Sequence, residues 1–153
     1  MSIEENKAIV RRYYDDAPFN LAACDEIFAP CFDFHAIVHT NLTSQTGQSS
    51  PADEKAFIEQ YKTIWGGWNF KIEEMIAEGD RVMVRWSSHG THLHAYNGLP
   101  PTNREVANSG INIFRIADGK IAEVWDIYDR LWVWQQLGVL PDVKDAITQA
   151  VIK

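Results

Sequence analysis

The sequence predicts an α+β fold: a curved, mostly antiparallel sheet closed into a cone-shaped half-barrel, three helices of the N-terminal half laid over it, and a ligand pocket inside. Three observations predict it. Helical apolar spacing dominates the first 65 residues, whereas most of the chain from Trp68 to Tyr128 reads as strands joined by turn residues. Asp118-Gly119, flanked by runs rich in Val, Ile, Phe and Trp, marks a tight two-residue hairpin. With 153 residues, 46% of them apolar, the chain can bury the core that helices packed on one sheet face require. Residues 1–153 read as one domain, with a core over about 3–141 and a weakly amphipathic tail over 142–153.

Each element has a local cause. Ser2 with Glu5 forms a capping box, and Ile9, Val10, Tyr13, Tyr14 and Ala17 follow at helical spacing, predicting a helix over 3–17 that ends before Pro18. Asn20 opens a short second helix over 20–29, stopped by Pro30. The stretch 31–38 reads as a strand with Phe32 and Phe34 on one face and Cys31, His35 and Ile37 on the other, and 39–50 as a polar loop. Ser50-Pro51 caps a third helix running to Trp65, with Ala56, Phe57, Tyr61, Ile64 and Trp65 as its apolar stripe. Strands over 68–77 and 81 to about 92 form a hairpin across Glu78-Gly79-Asp80. A loop over 93–103 precedes the Asp118-Gly119 hairpin, and Asp129 caps a final short helix ended by Gly138 and Pro141.

The last hairpin carries the chemistry. Strand alternation sets Ala122, Val124, Asp126 and Tyr128 on one face, with Ile121, Glu123, Trp125 and Ile127 on the other. In the preceding arm Asn108, Gly110, Asn112 and Phe114 oppose Ile111, Ile113 and Arg115. A carboxylate and an amide thus stand in apolar rows, where polar groups cost free energy unless paired or used. Trp86, alternating with Val82 and Val84, reads as inward wall. Arg85 reads as outward, within reach of Glu123 across strands.

Composition excludes whole classes of partner. A net charge of −7 lacks the basic footprint that nucleic acids and anionic membranes require. No apolar run approaches a membrane span, the N-terminus does not read as a signal peptide, and Cys24 and Cys31 are not in C-x-x-C spacing, so a reducing cytoplasm is expected. Asn41-Leu42-Thr43 matches a glycosylation sequon, which has no meaning without secretion. His35 and His39 lie ~13 Å apart on a strand, too far to chelate together. His89, His92 and His94 have no acidic neighbour in sequence, so no metal is expected, and no phosphate- or nucleotide-binding Gly motif occurs.

Several stretches then carry a resemblance: ENKAIVRRYYDD, FAPCFDFHA, GDRVMVRWSSHGTH, and the long run from GLPPTNREV through INIFRIADGKIAEVWDIYD to QQLGVLP. Together they span most of residues 4–141, and the chain resembles the SnoaL-like polyketide cyclases of the nuclear-transport-factor-2-like (cystatin-like α+β) superfamily. The resemblance implies an intramolecular aldol ring closure of a small, hydrophobic, carbonyl-rich molecule, without a cofactor. Asp126 matches the family's general acid/base near the end of the last long strand. Asn112 stands where the family often has His; an amide cannot exchange a proton near neutral pH but can bond a substrate carbonyl or enolate. His35 and Tyr14 match a pocket-facing His and a first-helix aromatic, with Trp86 and Phe114 completing the expected substrate contacts. The residues also admit a binding domain without catalysis, or an isomerase or hydrolase on this scaffold. A hydrolase of the epoxide type would want an Arg between two inward carboxylates, and only Asp126 is evident.

Ile111, Ile113 and Trp125 share an outward face too apolar for water, and the superfamily commonly pairs through that side, so a homodimer is expected. Light scattering at micromolar concentration should find a dimer for the wild type and a monomer for Trp125→Asp. A monomeric wild type would refute the expectation.

Overall fold

The computed structural model describes residues 2–36 and 46–151. Ile37, Val38, His39 and Asn41, where the sequence predicts a strand end, a loop and a sequon, lie outside the described residues. The elements run α1 (Ile3–Asp15), α2 (Ala23–Ile27), β1 (Phe28–Ala36), β2 (Gly47–Ser49), α3 (Pro51–Ile64), β3 (Trp65–Glu78), β4 (Arg81–His92), β5 (Glu105–Ala117), β6 (Lys120–Tyr128), α4 (Arg130–Gln136) and α5 (Val143–Val151). Among the described residues no helix is long and apolar enough to cross a membrane.

The caps read from the sequence form as bonded pairs. Ser2 and Glu5 make a reciprocal capping box, and so do Ser50 and Asp53 at the start of α3. The Asp129 carboxylate accepts from the Trp132 N–H at 2.9 Å and so caps α4. Asp118 and Gly119 take φ of 49° and 78°, the paired left-handed geometry that matches a two-residue turn to the twist of its strands. β1 begins three residues earlier than expected, because the Pro30 expected to bound it sits within the strand. β2, within the stretch read as loop, pairs antiparallel on the free edge of β1.

One six-stranded sheet results, in the order β2-β1-β6-β5-β4-β3, with β1 and β6 parallel and every other pair antiparallel. Register shifts interrupt the β1–β6, β3–β4 and β5–β6 ladders, and such irregularities bend and twist a sheet toward a cone. The shift between Arg115 and Ile116 corrects one expectation. It inserts an extra residue on β6, so Ile121 pairs with Ile116 and is fully buried rather than sharing the outer face of Trp125. Strict alternation holds only from Glu123 onward.

The concave face holds the main core: Val82, Val84 and Trp86 of β4, Phe114 and Ile116 of β5, Ile121 and Val124 of β6, and Phe28 and Phe32 of β1. Val10 and Tyr14 of α1, Cys24 and Ile27 of α2, and Ile58 of α3 close over it. The α3 stripe therefore differs from the expected one. Glu54, Ile58 and Ile64 are its buried residues, while Ala56 and Phe57 are exposed. A second cluster, Ile64, Trp65, Tyr96, Val106, Val133 and Leu137, joins the 93–103 loop and α4 to the wide end of the sheet. On the outer face Arg85 pairs with Glu74 at 3.4 Å rather than with Glu123, which takes Arg115 at 2.8 Å.

Gly110 sits where β5 passes closest to its neighbours. A Cβ there would meet the Ile127 carbonyl oxygen and the Trp86 ring, both nearer than carbon atoms approach. Gly110→Ala should therefore cost about 1–3 kcal/mol, the usual range for overpacking, seen as a lower urea midpoint at unchanged slope. Unchanged stability would mean that the Trp86 ring does not rest on this glycine.

Candidate active site

The register of β5 and β6 places Asn112 directly opposite Asp126, both toward the concave side. Their amide and carboxylate meet across the strands, Asn112 Nδ2 donating to Asp126 Oδ1 at 2.7 Å. The other end of the amide is held twice. Asn112 Oδ1 accepts from the Tyr14 hydroxyl at 2.9 Å and from Trp86 Nε1 at 2.5 Å. An indole N–H can only donate, so the amide oxygen must face Trp86 and the NH2 must face the carboxylate. α1, β4, β5 and β6 thus each supply one member of a chain that ends on Asp126.

These groups line a cavity of about 530 Å³, a volume that accommodates a small-molecule ligand. The sheet wall is made by Phe34, Trp86, Asn112, Phe114, Val124 and Asp126. The helix wall is made by Tyr13, Tyr14, Glu54, Phe57 and Tyr61, and Tyr96, Tyr128 and Arg130 also line the cavity. The Arg130 guanidinium lies 4.8 Å from the centre of the Tyr128 ring. Of the residues read from the sequence, Asp126, Asn112, Tyr14, Trp86 and Phe114 come together here.

His35 does not. Phe34 and Ala36 face the cavity, and strand alternation turns the residue between them outward. Its ring stacks on Trp125 with centroids 5.2 Å apart, and Nε2 lies 2.9 Å from Glu123 Oε1. The pocket-facing role implied for His35 is therefore corrected: it belongs to the outer face. Arg81 covers the same indole at 4.8 Å. Ile111, Ile113 and Trp125 do stand on that face, with Ile111 36% exposed.

A carboxylate missed in the sequence completes the site. Glu54 of α3 is 9% exposed, lines the same cavity and accepts the Tyr13 hydroxyl proton at 2.7 Å. It corrects the reading that Asp126 has no second inward carboxylate. Its spacing was the available signal: positions 54, 58 and 61 lie on one helix face, so a glutamate is in line with Ile58 and Tyr61.

Burial dominates the protonation of both acids. It pushes the Glu54 carboxyl from 4.5 up to about 7, with the Tyr13 hydrogen bond opposing and the charge of Asp126 adding. Asp126 is also raised by burial, while the Asn112 hydrogen bond and the charge of Arg130 oppose. Tyr14 is held well above 10 by burial first and then by Asp126 and Glu54, so it remains a donor.

Among the described residues no group of three or more His, Cys, Asp or Glu side chains converges as a metal site would. His92 is fully buried, its Nδ1 accepting from the Thr102 N–H at 3.2 Å, which ties β4 to the loop that follows. His89 rests against Asn69.

Glu54 makes stability depend on pH. Below pH 4.5 both folded and unfolded chains hold its proton. Between 4.5 and about 7 only the unfolded chain releases it, so folded stability falls as pH rises; above about 7 the loss is complete. Glu54→Gln should flatten that fall and exceed the wild type at pH 8 by on the order of 3 kcal/mol, because each tenfold gain in proton affinity on folding is worth ~1.4 kcal/mol. Urea unfolding from pH 4 to 9 measures both, and parallel curves for the two proteins would refute the burial argument.

A family model described as SnoaL-like polyketide cyclase matches residues 8–137. The chain is 35% identical over 69 residues to the aklanonic acid methyl ester cyclase DnrD of Streptomyces peucetius, a stretch covering 44% of this chain and 48% of that one. It thus spans about half the length of that curated relative. Over 60 residues it is also 35% identical to the cyclase DauD of a Streptomyces species, strain C5, covering 39% of this chain and 37% of that one. Among solved structures, a candidate polyketide cyclase from Acidithiobacillus ferrooxidans superposes with a TM-score of 0.76 at 25% identity, covering 90% of this chain and 98% of the other. AclR of Streptomyces galilaeus, a candidate hydroxylase, shares the fold with a TM-score of 0.74 at 24% identity, over 99% and 92%. With 8–137 matched, most of its length, the chain belongs to the SnoaL-like polyketide cyclase family.

Proposed function

We propose that this protein closes a ring in a small polyketone ester by an intramolecular aldol reaction, with Asp126 as the base. The observation that carries the reading is the Asp126 carboxylate itself. It opens onto an aromatic cavity, one oxygen is fixed by Asn112, and burial raises its basicity. Asp126 removes an α-proton lying between two carbonyls. The C–H electron pair passes into the enolate, whose carbon attacks a ketone carbonyl of the same molecule. One C–C bond forms, the C=O π pair becomes an alkoxide, and the alkoxide is protonated, so substrate and product are isomers. Trp86, Phe114 and Tyr14 supply flat walls against which a planar enolate can lie, and the Asn112 amide holds the carboxylate on its approach line. The named cyclases among its relatives make aklanonic acid methyl ester a rational first probe.

Asp126→Asn keeps the shape of the side chain and cannot take a proton. Conversion of that ester, or of simpler β-polyketone esters, should fall by roughly 10²–10⁴-fold with ligand affinity little changed. A variant as active as the wild type would remove Asp126 from the reaction. A wild type that binds the esters with no conversion would make the domain a binder.

A further inference from the structure

The aldol reading needs a proton at the acceptor carbonyl oxygen as the new bond forms, at the far end of the reacting skeleton from the carbon that Asp126 deprotonates. Resting on that reading, we infer that Glu54, positioned by Tyr13, is the general acid that donates it.

The two carboxyl groups stand on opposite walls of one cavity, Asp126 on β6 and Glu54 in the first turn of α3. Neighbouring residues of α1 reach both. Tyr13 donates to Glu54 Oε1, and Tyr14 donates to Asn112, which donates to Asp126. A tyrosine hydroxyl has a single proton to give, and Tyr13 spends it on Oε1. The acid proton of Glu54 is therefore free to reside on Oε2. Tyr13 cannot swing away, because its ring meets Tyr14, Phe28 and Phe114 edge-on at 5.1, 5.3 and 5.9 Å. A buried glutamic acid with one oxygen so occupied has its O–H as the group offered to a ligand.

The groups that face Glu54 keep it acidic in the right sense. Among the described residues, Tyr13 and Tyr14 of α1, Cys24 of α2, Asp126 of β6 and its own neighbour Asp53 interact electrostatically with it. Asp126 starts from 3.8, and although burial raises it, the Asn112 hydrogen bond and the charge of Arg130 oppose the rise and favour its carboxylate. Burial holds the Glu54 proton up to about 7, and the charge of Asp126 adds to that hold. Transfer from Glu54 to the alkoxide leaves a glutamate, and Asp126 holds the proton taken from carbon. One proton passing from Asp126 to Glu54, directly or through solvent, restores the starting state.

Two readouts separate the acid from the base. Solvent deuterium exchange at the central carbon of benzoylacetone reports proton removal alone. Ring closure of aklanonic acid methyl ester reports the whole reaction. Glu54→Gln should reduce ring closure at least 10-fold more than it reduces exchange. It should also abolish the loss of ring-closure rate that the wild type shows as pH rises through about 7. Tyr13→Phe should keep that pH limb but shift it. Asp126→Asn should lose both readouts together. Equal losses in exchange and closure for Glu54→Gln, or closure at the wild-type rate with the pH limb intact, would overturn the role of Glu54 while leaving Asp126 as base. Exchange that survives in Asp126→Asn would overturn the aldol reading instead.

Discussion

The site depends on a single saturated acceptor, the side-chain oxygen of Asn112. With Tyr14 and Trp86 both donating to it, the amide has one orientation, and its NH2 has one available target. A histidine at this position would bring a second titratable proton; an asparagine brings none and serves as a fixed link. The link matters because a half-buried carboxylate on a strand can otherwise turn about its side-chain bonds. Here that freedom is removed by groups from three other elements, before any ligand arrives.

The central ladders of the sheet explain why the link reaches the cavity at all. Asn112 pairs with Asp126, and Val84 with Asn112, in an unbroken antiparallel register. The register shift falls further along, between Arg115 and Ile116, where it costs the site nothing and turns Ile121 into the core. Had the extra residue come after Glu123, Asp126 would have pointed toward the face of Trp125. Gly110 then lets the Trp86 ring lie flat enough on β5 to reach the Asn112 oxygen. Packing and polar geometry are therefore one problem here, solved by a glycine and a bulge.

Those same particulars mark the limit of what the chain's letters disclose. Asp126, Asn112, Phe114 and Trp86 were legible because period-two alternation is local, and Asp118-Gly119 pins where it starts. Ile121 was not, since a bulge leaves no residue signature in Lys120 to Val124. His35 shows two arguments in conflict, strand alternation and family likeness, and alternation prevailed because Phe34 fills the inward place. Glu54 was passed over because a glutamate in a first helical turn has an ordinary reason to be there, beside the dipole of the helix N-terminus. The Ser50 cap was legible, but only the third dimension shows that the residue after Asp53 faces the cavity.

Adjacent tyrosines on one helix join the two walls of the cavity. Successive helical residues point about 100° apart, so a helix packed over the concave face can address both the sheet and α3 from consecutive positions. Tyr13 turns toward α3 and Tyr14 toward the sheet, and each ends on a carboxyl-bearing arm. Both hydroxyls stay protonated, held well above 10 by burial, so neither competes with the acids as a base. The α1 helix thus links a carboxyl on each wall, and the rings of Tyr13, Tyr14, Trp86 and Phe114 line much of the cavity between them. Burial raises both acids; at Asp126 the Asn112 hydrogen bond and the charge of Arg130 oppose it, whereas at Glu54 only the Tyr13 hydrogen bond opposes it and the charges of Asp126 and Asp53 add to it.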